Sequence, residues 1–482
     1  MRLTIIGGGT AGLSAAYYAT RHAQYDHITL LESDSRWGGK IATDRVTFDD
    51  GQFIIEGGPD TFLATKPWGV ALCKELGLRE RLHGTNPKTK NTYVLHRDKL
   101  EPLPDGLAMM IPTNTQAILK THLVSWFGKA RMGFDFLQPA KAVNPNDGAG
   151  GDESLGAFVS RRLGREAYEN LIEPLMSGIY AGDGDALSLA STFPYLRDLE
   201  LKYGSLARGA LKMRAQSNGK VQGSRSAFLT PTTGLAEIVE ALVKSLTSKV
   251  ELRLNSRVAS ISRPSTFDVR LETGEHINTD SLILATPAFI SGGLLASFDP
   301  ELASVLTSIP YASTATVSLA YRLSDIPREL DGYGYVIPRR EGRKALACTW
   351  TSTKFPHRAP DGYALIRVFI GRAGQDIPWN EQELFELSKE ELNLTLCITA
   401  EPILSRVFMW DKAMPQYNLG HPDKLKQIDA ALEKHPGLAL AGNGYRGIGI
   451  PDCIHSGEVA VEKVTRDLSR ITSDMNVALQ ES

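Results

Sequence analysis

The chain has 482 residues, which is too long for one compact hydrophobic core, so two or more packed domains are expected. Its composition, 42% hydrophobic and 22% charged, is that of an ordinary globular protein. Lys plus Arg (53) nearly balance Asp plus Glu (55), and the resulting net charge of −2 argues against nucleic acid as the main partner.

The chain opens with the pattern strand, glycine turn, helix, strand: Arg2–Ile6, Gly7–Gly12, Ala11–His22 and Ile28–Leu31. The turn carries GxGxxG, a motif that lets a backbone approach a pyrophosphate at the N-terminus of a helix. Glu32 ends the second strand 20 residues after Gly12, where a carboxylate can accept both ribose hydroxyls of an adenosine. The pattern predicts a dinucleotide site made by these residues: Gly7, Gly8, Gly9, Thr10, Ala11, Gly12 and Glu32.

A second glycine pair follows, Gly38-Gly39, between Arg36 and Lys40. It would bring another backbone segment onto the phosphates, with Arg36 or Lys40 balancing their charge, which suits FAD better than the shorter NAD. Ser33, Arg36, Gly39 and Lys40 are therefore added to the predicted cofactor contacts. The spacing E-x(3)-R-x-GG resembles the FAD-binding amine oxidase superfamily.

Turn and helix signals continue along the chain. A hairpin is expected over Asp44–Phe53, a helix over Trp68–Leu82, and an irregular connection around Pro102, Pro104 and Pro112. Residues 112–220 are mainly helical in pattern, interrupted by a loop at 144–151. Within this stretch Leu123–Leu137 mixes aromatic residues and Met132 with Lys129 and Arg131, which fits either peripheral membrane contact or a core or substrate-channel helix.

Around residue 250 the hydrophobic period changes to two. Val250, Leu252 and Leu254 alternate with charged residues, and the pattern predicts a β-meander through Phe267–Leu271 into the strand Leu282–Leu284. Strands are expected again within Ala315–Ile370, followed by a helix over Glu381–Leu396. The chain closes with a strand at Leu438–Leu440, a glycine-rich turn, and a helix over Ile454–Asp467.

The closing turn places glycines before a helix whose N-terminus could face a polarised ring carbonyl and stabilise negative charge there. The resemblance places further segments on the cofactor, and the contacts it implies are these: Gly58, Pro59, Asp60, Thr61, Val258, Trp410, Asn443, Ile448, Gly449 and Ile450. The alternative for Gly58–Thr61 is a plain strand-ending turn, and the alternative for Tyr180 and Trp410 is a plain core aromatic.

Three segments narrow the resemblance to the porphyrinogen oxidases of the coproporphyrinogen III and protoporphyrinogen IX type: Ser177–Asp183 with Leu187–Leu189, Gly58–Leu63, and Trp410 with Ala413–Tyr417. The segment Gly58–Leu63, with Lys66 after it, resembles the monofunctional bacterial branch that acts on coproporphyrinogen. The resemblance implies six-electron oxidation of coproporphyrinogen III with FAD and oxygen, and contact with the next haem-pathway enzyme. Protoporphyrinogen IX oxidase, amine oxidase, carotenoid desaturase and a non-enzymatic FAD-binding scaffold stay open as alternatives.

Aromatisation drives such chemistry, so no catalytic triad, metal or dedicated acid–base pair is expected, and no catalytic residue is assigned. Substrate propionates need cations, for which the candidates are Arg45, Lys66, Arg97, Lys212 and Arg214. The four scattered cysteines lack CxxC spacing and indicate a reducing, cytoplasmic compartment. A strand that starts at Arg2 leaves no room for a signal peptide.

The expected fold class is α/β, with a Rossmann-like FAD-binding domain, a mixed-sheet substrate domain and a helical insertion. The predicted FAD-binding domain is discontinuous and comprises residues 1–85, 225–300 and 430–482. Residues 86–111 and 301–429 form the predicted substrate domain, and residues 112–224 form the predicted helical insertion.

Overall fold

The computed structural model describes residues 1–48, 51–89, 91–108, 111–112, 114–141, 152–217 and 226–481. Its strands are, in chain order, β1 Arg2–Ile6, β2 His27–Leu31, β3 Thr43–Phe48, β4 Gly51–Glu56, β5 Phe62–Leu63, β6 Leu82–Gly84, β7 Asn91–His96, β8 Lys99–Pro102, β9 Leu107–Ala108, β10 Ile111–Pro112, β11 Phe228–Pro231, β12 Glu251–Arg253, β13 Val258–Ser262, β14 Phe267–Leu271, β15 His276–Thr279, β16 Ser281–Leu284, β17 Tyr311–Arg322, β18 Gly332–Val336, β19 Ala345–Trp350, β20 Tyr363–Ile370, β21 Leu404–Pro415 and β22 Leu438–Leu440.

Its α-helices are, in chain order, α1 Thr10–Ala19, α2 Pro67–Glu75, α3 Thr115–Lys120, α4 Trp126–Gly133, α5 Leu155–Leu163, α6 Arg165–Ala167, α7 Glu173–Tyr180, α8 Leu189–Thr192, α9 Pro194–Tyr203, α10 Leu206–Ser217, α11 Ala236–Leu246, α12 Ala288–Leu295, α13 Pro300–Thr307, α14 Thr351–Lys354, α15 Glu381–Leu396, α16 His421–Glu433 and α17 Ile450–Glu481. Nowhere in the described ranges is a helix both long enough and apolar enough to cross a bilayer.

A parallel sheet brings the two ends of the chain together. Its strand order is β12-β2-β1-β16-β22, and every neighbouring pair is parallel. Helices α1 and α17 cross so closely that a Cβ on Gly457 would lie 2.4 Å from the Ala11 carbonyl oxygen. This arrangement confirms the expected α/β class and the Rossmann-like unit built from both chain ends.

A mixed sheet forms the second layer, in the order β21-β17-β20-β19-β18-β7-β8. Its pairs are antiparallel except β18 with β7, which are parallel. The buried face of α15, which includes Leu384, Leu392 and Leu396, shares a core with this sheet. The short helices α3–α10 bury a separate core around Phe158, Tyr168 and Leu171, as expected for the helical stretch 112–220.

The meander prediction was wrong at its start. Strand Glu251–Arg253 pairs in parallel with β2 in the first sheet, and the antiparallel meander comprises β13, β14 and β15. The alternation of Val250, Leu252 and Leu254 describes a strand with one face towards solvent, and it fits an edge strand of either sheet equally well.

Several helix boundaries also differ from the expectation. Helix α2 ends at Glu75, because Gly77 turns the backbone at φ +76°, and Leu82 already begins β6. Helix α1 ends at Ala19 rather than His22, and α17 starts at Ile450 rather than Ile454. The stretch expected to be irregular includes β8 and the small β9–β10 hairpin. The predicted loop at 144–151 lies outside the described residues, and the three domain boundaries stay a prediction.

Candidate functional site

Three of the glycines in the first turn are each required for a different structural reason. Gly7 has φ +109°, and a Cβ on Gly12 would lie 1.8 Å from the Gly7 carbonyl oxygen, so strand and helix touch here. A Cβ on Gly8 would lie 2.4 Å from the Trp37 ring. Gly9 differs, because within the described structure a Cβ there would meet nothing within 4 Å. Gly7, Gly8 and Gly12 are thus needed by the fold, whereas the space beside Gly9 is open to a ligand.

The N-terminus of α1 is suited to an anion. Gly9 is its N-cap residue, and within the described structure no side chain caps the helix and no acidic residue occupies its first turn, which includes Thr10 and Ala11. Glu32 accepts hydrogen bonds from Gly8 N–H at 2.6 Å, from Asp34 N–H at 2.9 Å and from the Ser33 hydroxyl at 3.1 Å. The turn and the acidic residue expected to face an adenosine are therefore adjacent.

The second glycine pair lies directly on the first turn. Gly38 N–H donates to the Gly8 carbonyl at 2.8 Å, and a Cβ on Gly39 would lie 3.2 Å from Gly9 Cα. The Arg36 guanidinium donates to the carbonyls of Gly39 and Ile41, so it also stabilises this loop.

Lys40 directly follows this glycine pair and is half-buried. Its ammonium donates to the Ala413 carbonyl oxygen at 2.5 Å, and burial lowers the pKa of Lys40 to about 8. Lys40 therefore links the first turn to strand β21 of the second sheet.

The segment after β4 has its carbonyls directed into the second sheet. The Gly57 carbonyl accepts from Thr316 Oγ1 at 2.7 Å, from Trp410 Nε1 at 2.9 Å and from Arg367 Nη2 at 3.2 Å. Arg367 also donates to the Gly58 carbonyl. A Cβ on Gly58 would lie 1.9 Å from the Lys40 carbonyl oxygen, so only glycine fits. Trp410 thus has a polar partner and is half-buried.

Asp60 and Thr61 continue this segment. The Asp60 carboxylate accepts from Thr61 Oγ1 at 3.1 Å and from Lys354 Nζ at 3.1 Å. Burial acts to raise the pKa of Asp60, but the charges of Lys354 and Arg367 outweigh it and hold this pKa at about 2. Asp60 is therefore ionised at neutral pH.

The C-terminal turn is held from two sides. The Tyr417 hydroxyl donates to the Asn443 carbonyl at 2.6 Å and accepts from Gly447 N–H at 3.0 Å. Asp452, in the first turn of α17, accepts from Gly449 N–H at 3.1 Å and pairs with Lys66 at 2.6 Å. These contacts fix Asn443–Ile450 at the N-terminal end of a long helix, where the backbone favours negative charge.

Val258 begins strand β13 next to Glu32. Ser256 N–H donates to the Glu32 carbonyl at 2.8 Å, and Asn255 N–H donates to the Asp34 carbonyl at 3.0 Å. The structure thus brings the predicted adenosine contacts together. That any of the predicted residues touches a cofactor remains a prediction.

An aromatic cluster lies beyond the C-terminal turn. The Tyr180 ring centroid is 5.7 Å from that of Phe193 and 6.1 Å from that of Tyr417, and Phe193 is 6.3 Å from Tyr195. Gln416 Nε2 donates to the Tyr180 carbonyl at 2.9 Å, which ties α7 to the end of β21. Tyr180, Phe193 and Tyr417 are buried in one core beside the turn, and Tyr195 is half-buried.

The candidate propionate cations are dispersed. Arg45 pairs with Glu240, Lys212 lies over the Tyr203 ring, and Arg97 occupies a turn with φ +52°. Lys66 is the candidate that lies beside the C-terminal turn, through Asp452. The side chain of Arg214 lies outside the described part of the structure.

Sequence reasoning missed Arg367, Thr316 and Tyr417 as parts of the site. Each acts through a partner more than 25 residues away, for example 310 residues for Arg367 and Gly57. The signal that could have found Arg367 is a lone arginine inside the apolar run Leu365–Ile370.

The chain resembles proteins of known family. The model of the family described as flavin containing amine oxidoreductase matches residues 10–465. A coproporphyrinogen III oxidase of Bacillus subtilis (strain 168) is 38% identical over 95% of this chain and 97% of its own. A mitochondrial protoporphyrinogen oxidase of Nicotiana tabacum is 28% identical over 98% and 96%. The crystal structure of a candidate protoporphyrinogen oxidase from Exiguobacterium sp. 255-15 superposes with a TM-score of 0.83 at 33% identity, covering 97% of this chain and 99% of that one.

Proposed function

Because this chain belongs to the flavin containing amine oxidoreductases, and within them to the porphyrinogen oxidases, we propose that it oxidises coproporphyrinogen III to coproporphyrin III in haem biosynthesis, with FAD and molecular oxygen. The observation that carries the proposal is the 38% identity to a coproporphyrinogen III oxidase over 95% of the chain. The reaction removes six electrons and is therefore three two-electron oxidations.

The residues at both chain ends suit FAD. The open space beside Gly9 and the uncapped N-terminus of α1, within the described structure, suit a pyrophosphate, and Glu32 suits a ribose. Gly58–Thr61 and the turn before Ile450 suit the isoalloxazine end. When bound, FAD supplies the two-electron acceptor for each of the three oxidations.

The chain's own contribution is to position a flat macrocycle and keep water away. The aromatic cluster of Tyr180, Phe193, Tyr195 and Tyr417 is packed and apolar, and its half-buried member Tyr195 can contact a flat ligand. Burial raises the pKa of Tyr180 far above neutral pH, so its hydroxyl stays uncharged. In this proposal the cluster supports the substrate site and exchanges no proton with the substrate.

The function is tested with the purified, flavin-loaded protein. Anaerobic coproporphyrinogen III should bleach the flavin absorbance, and admission of oxygen should restore it and produce porphyrin fluorescence. Protein stripped of flavin is the control and should give neither signal. A flavin that this substrate does not bleach would refute the proposal.

Protoporphyrinogen IX is the second candidate substrate, supported by the 28% identity to the plant enzyme. Coproporphyrinogen carries four propionates and protoporphyrinogen two, so cations at the pocket decide between them. The ratio of kcat/KM for the two substrates, measured by fluorescence, should favour coproporphyrinogen. A ratio that favours protoporphyrinogen would change the substrate but keep the reaction class.

We propose that the protein works in the cytoplasm, since its four cysteines are all unpaired, with peripheral contact to an anionic membrane. Trp126, Phe127, Phe134 and Leu137 are exposed on one segment, and Lys129 lies 4.5 Å over the Trp126 ring. Vesicles of phosphatidylglycerol, but not phosphatidylcholine, should sediment the protein, and F127S should weaken this. Should neither vesicle bind, transient contact with the next haem-pathway enzyme is the remaining proposal for this segment.

A further inference from the structure

The Gly57–Gly58 peptide is held in one orientation by the second sheet. Three side chains, Thr316, Arg367 and Trp410, donate to the Gly57 carbonyl, and Arg367 reaches the Gly58 carbonyl as well. Thr316 and Arg367 are 95% or more buried. Since a carbonyl oxygen has two lone pairs, three donors saturate Gly57 and leave its peptide no freedom to rotate.

This orientation determines where the Gly58 N–H points. In a trans peptide the carbonyl of one residue and the N–H of the next point in opposite directions. The Gly57 carbonyl faces the sheet, so the Gly58 N–H is directed away from it. Among the described residues this N–H has no acceptor, which leaves it available to a ligand on that side.

The charges behind this peptide do not cancel. Glu56 pairs with Arg358 at 2.9 Å, and Asp60 pairs with Lys354 at 3.1 Å. Arg367 is a third cation in the same cluster, and its Nε and Nη1 atoms are buried without a hydrogen-bond acceptor within the described structure. Its guanidinium carbon lies 4.5 Å from the centroid of the Phe369 ring. The cluster of Glu56, Asp60, Lys354, Arg358 and Arg367 thus carries one positive charge in excess.

We propose that Arg367 is a positioning residue for the flavin: it turns the Gly58 N–H towards the ring, and its excess charge stabilises the ring after two-electron reduction. The inference rests on the proposed function, because it requires a flavin against Gly58–Thr61. A cation that donates to the Gly57 carbonyl polarises that peptide and strengthens the Gly58 N–H as a donor. The Gly58 carbonyl precedes Pro59, which has no N–H, so the second contact holds the segment in place. The effect is to make the flavin easier to reduce by its substrate.

The test compares R367Q with R406Q in the flavin-loaded, full-length protein. Both arginines lie in one row of the sheet, since each is paired in register with Ser318, but Arg406 is half-exposed and bonded to Asp44. R406Q therefore removes the same charge from the same sheet without touching Gly57 or Gly58.

The readout is the equilibrium constant for two-electron reduction of the bound flavin, measured anaerobically against a reference dye. R367Q should lower it about tenfold, which is about 30 mV for a two-electron couple, and R367K about threefold, because lysine keeps the charge but not the double contact. R406Q should stay within about twofold of the wild type. An unshifted R367Q, or an equal shift in R406Q, would overturn the proposal.

Should R367Q purify without flavin, R367K decides in its place, and an unchanged constant for R367K overturns the proposal. The outcome is separable from that of the proposed function. A protein that binds flavin but oxidises no porphyrinogen loses the proposed substrate while the role of Arg367 stands. A wild-type protein that binds no flavin loses both.

Discussion

The first turn and the larger region made by the second sheet and helices α3–α10 are organised in different ways. At the first turn the decisive contacts join residues close in sequence, such as Gly12 with Gly7 and Gly8 with Glu32. In the second sheet they join residues hundreds of positions apart, such as Arg367 with Gly57. The first is a property of a short motif, whereas the second exists only once the whole chain has folded.

The two regions also use different forces. The first turn depends on backbone atoms in van der Waals contact, where an added methyl group has no room. The second sheet and helices α3–α10 depend on buried charges such as Arg162, Arg358 and Arg367, each held by carboxylates or carbonyls. We therefore expect a side chain that does not fit in the turn to abolish its structure, and substitutions at the buried charges to give graded losses of stability.

The largest effect is expected for Gly12→Ala. Its Cβ would lie 1.8 Å from the Gly7 carbonyl oxygen, and neither backbone segment can move without separating β1 from α1. Such overpacking costs about 3 kcal/mol or more and removes the closed turn. We expect no flavin-loaded protein, judged by the absorbance ratio at 450 and 280 nm of about zero in purified material.

Gly9→Ala is the matched control for the comparison. Within the described structure its Cβ meets nothing within 4 Å, so the apoprotein should keep the wild-type Tm while flavin binds at least about tenfold more weakly. If G9A binds flavin as the wild type does, the open space beside Gly9 does not belong to the cofactor.

Arg162→Met comes next in expected size. Arg162 is fully buried, pairs with Asp135, and donates to the carbonyls of Gln138, Pro139 and Gly204. Its loss leaves Asp135 buried without its partner, which costs about 3–5 kcal/mol of the free energy of unfolding. Urea unfolding, monitored by circular dichroism, measures the difference in free energy of unfolding between R162M and the wild type.

The exposed Arg165→Met is the control for Arg162→Met. The Arg165 side chain is exposed and paired with Asp185, so its loss should lower the free energy of unfolding by about 1 kcal/mol or less. Equal costs for the two arginines would contradict the view that buried charges hold the helical insertion together.

This contrast explains how much the sequence could predict. The bounds of β1, α15 and β22 follow from local patterns, and the structure confirms them. It also places Glu32 against the first turn, while the binding of a cofactor there stays a prediction. The partner of strand Glu251–Arg253 could not be predicted, because alternation describes a face but not a neighbour. Arg367 was missed for a similar reason, since its role is defined by Gly57, which follows β4 and lies 310 residues away.

His357 should give a pH-dependent effect of intermediate size. Burial, with the charges of Arg358 and His83 adding to it, lowers the pKa of His357 from 6.5 to about 4. Between these values the unfolded chain binds a proton that the folded chain does not, so stability falls as the pH drops from 6.5 to 4. The loss attributable to His357 is about 2 kcal/mol at pH 5 relative to pH 7, as an upper bound.

The measurement is urea unfolding of the apoprotein at pH 7 and pH 5. His357→Phe keeps a ring against His83 and should lose less stability than the wild type between these pH values. His122→Phe is the control, because the His122 side chain is 81% exposed and should leave the pH dependence unchanged. A wild-type pH dependence in H357F would show that this histidine titrates normally.

The smallest effect is expected where the two regions meet. Tyr417 packs in the core of the helical insertion, yet its hydroxyl bonds to Asn443 and Gly447 in the C-terminal turn. Tyr417→Phe removes two hydrogen bonds and leaves the Gly447 N–H without its acceptor, which costs about 1–2 kcal/mol. Because the ring stays in place, its stacking on His421 at 4.2 Å is retained.

Loss of these hydrogen bonds should weaken flavin binding more than it destabilises the fold. We therefore expect Y417F to raise the Kd of the flavin severalfold. The Tm should fall by only a few degrees, at about 2–4 °C per kcal/mol. Tyr195→Phe, in the same aromatic cluster, is the comparison variant and should leave the Kd unchanged. If instead Y417F lowers Tm and leaves the flavin Kd unchanged, the hydroxyl stabilises the fold but does not contribute to flavin binding. The two regions would then be joined through Lys40, whose contact with Ala413 also crosses between them.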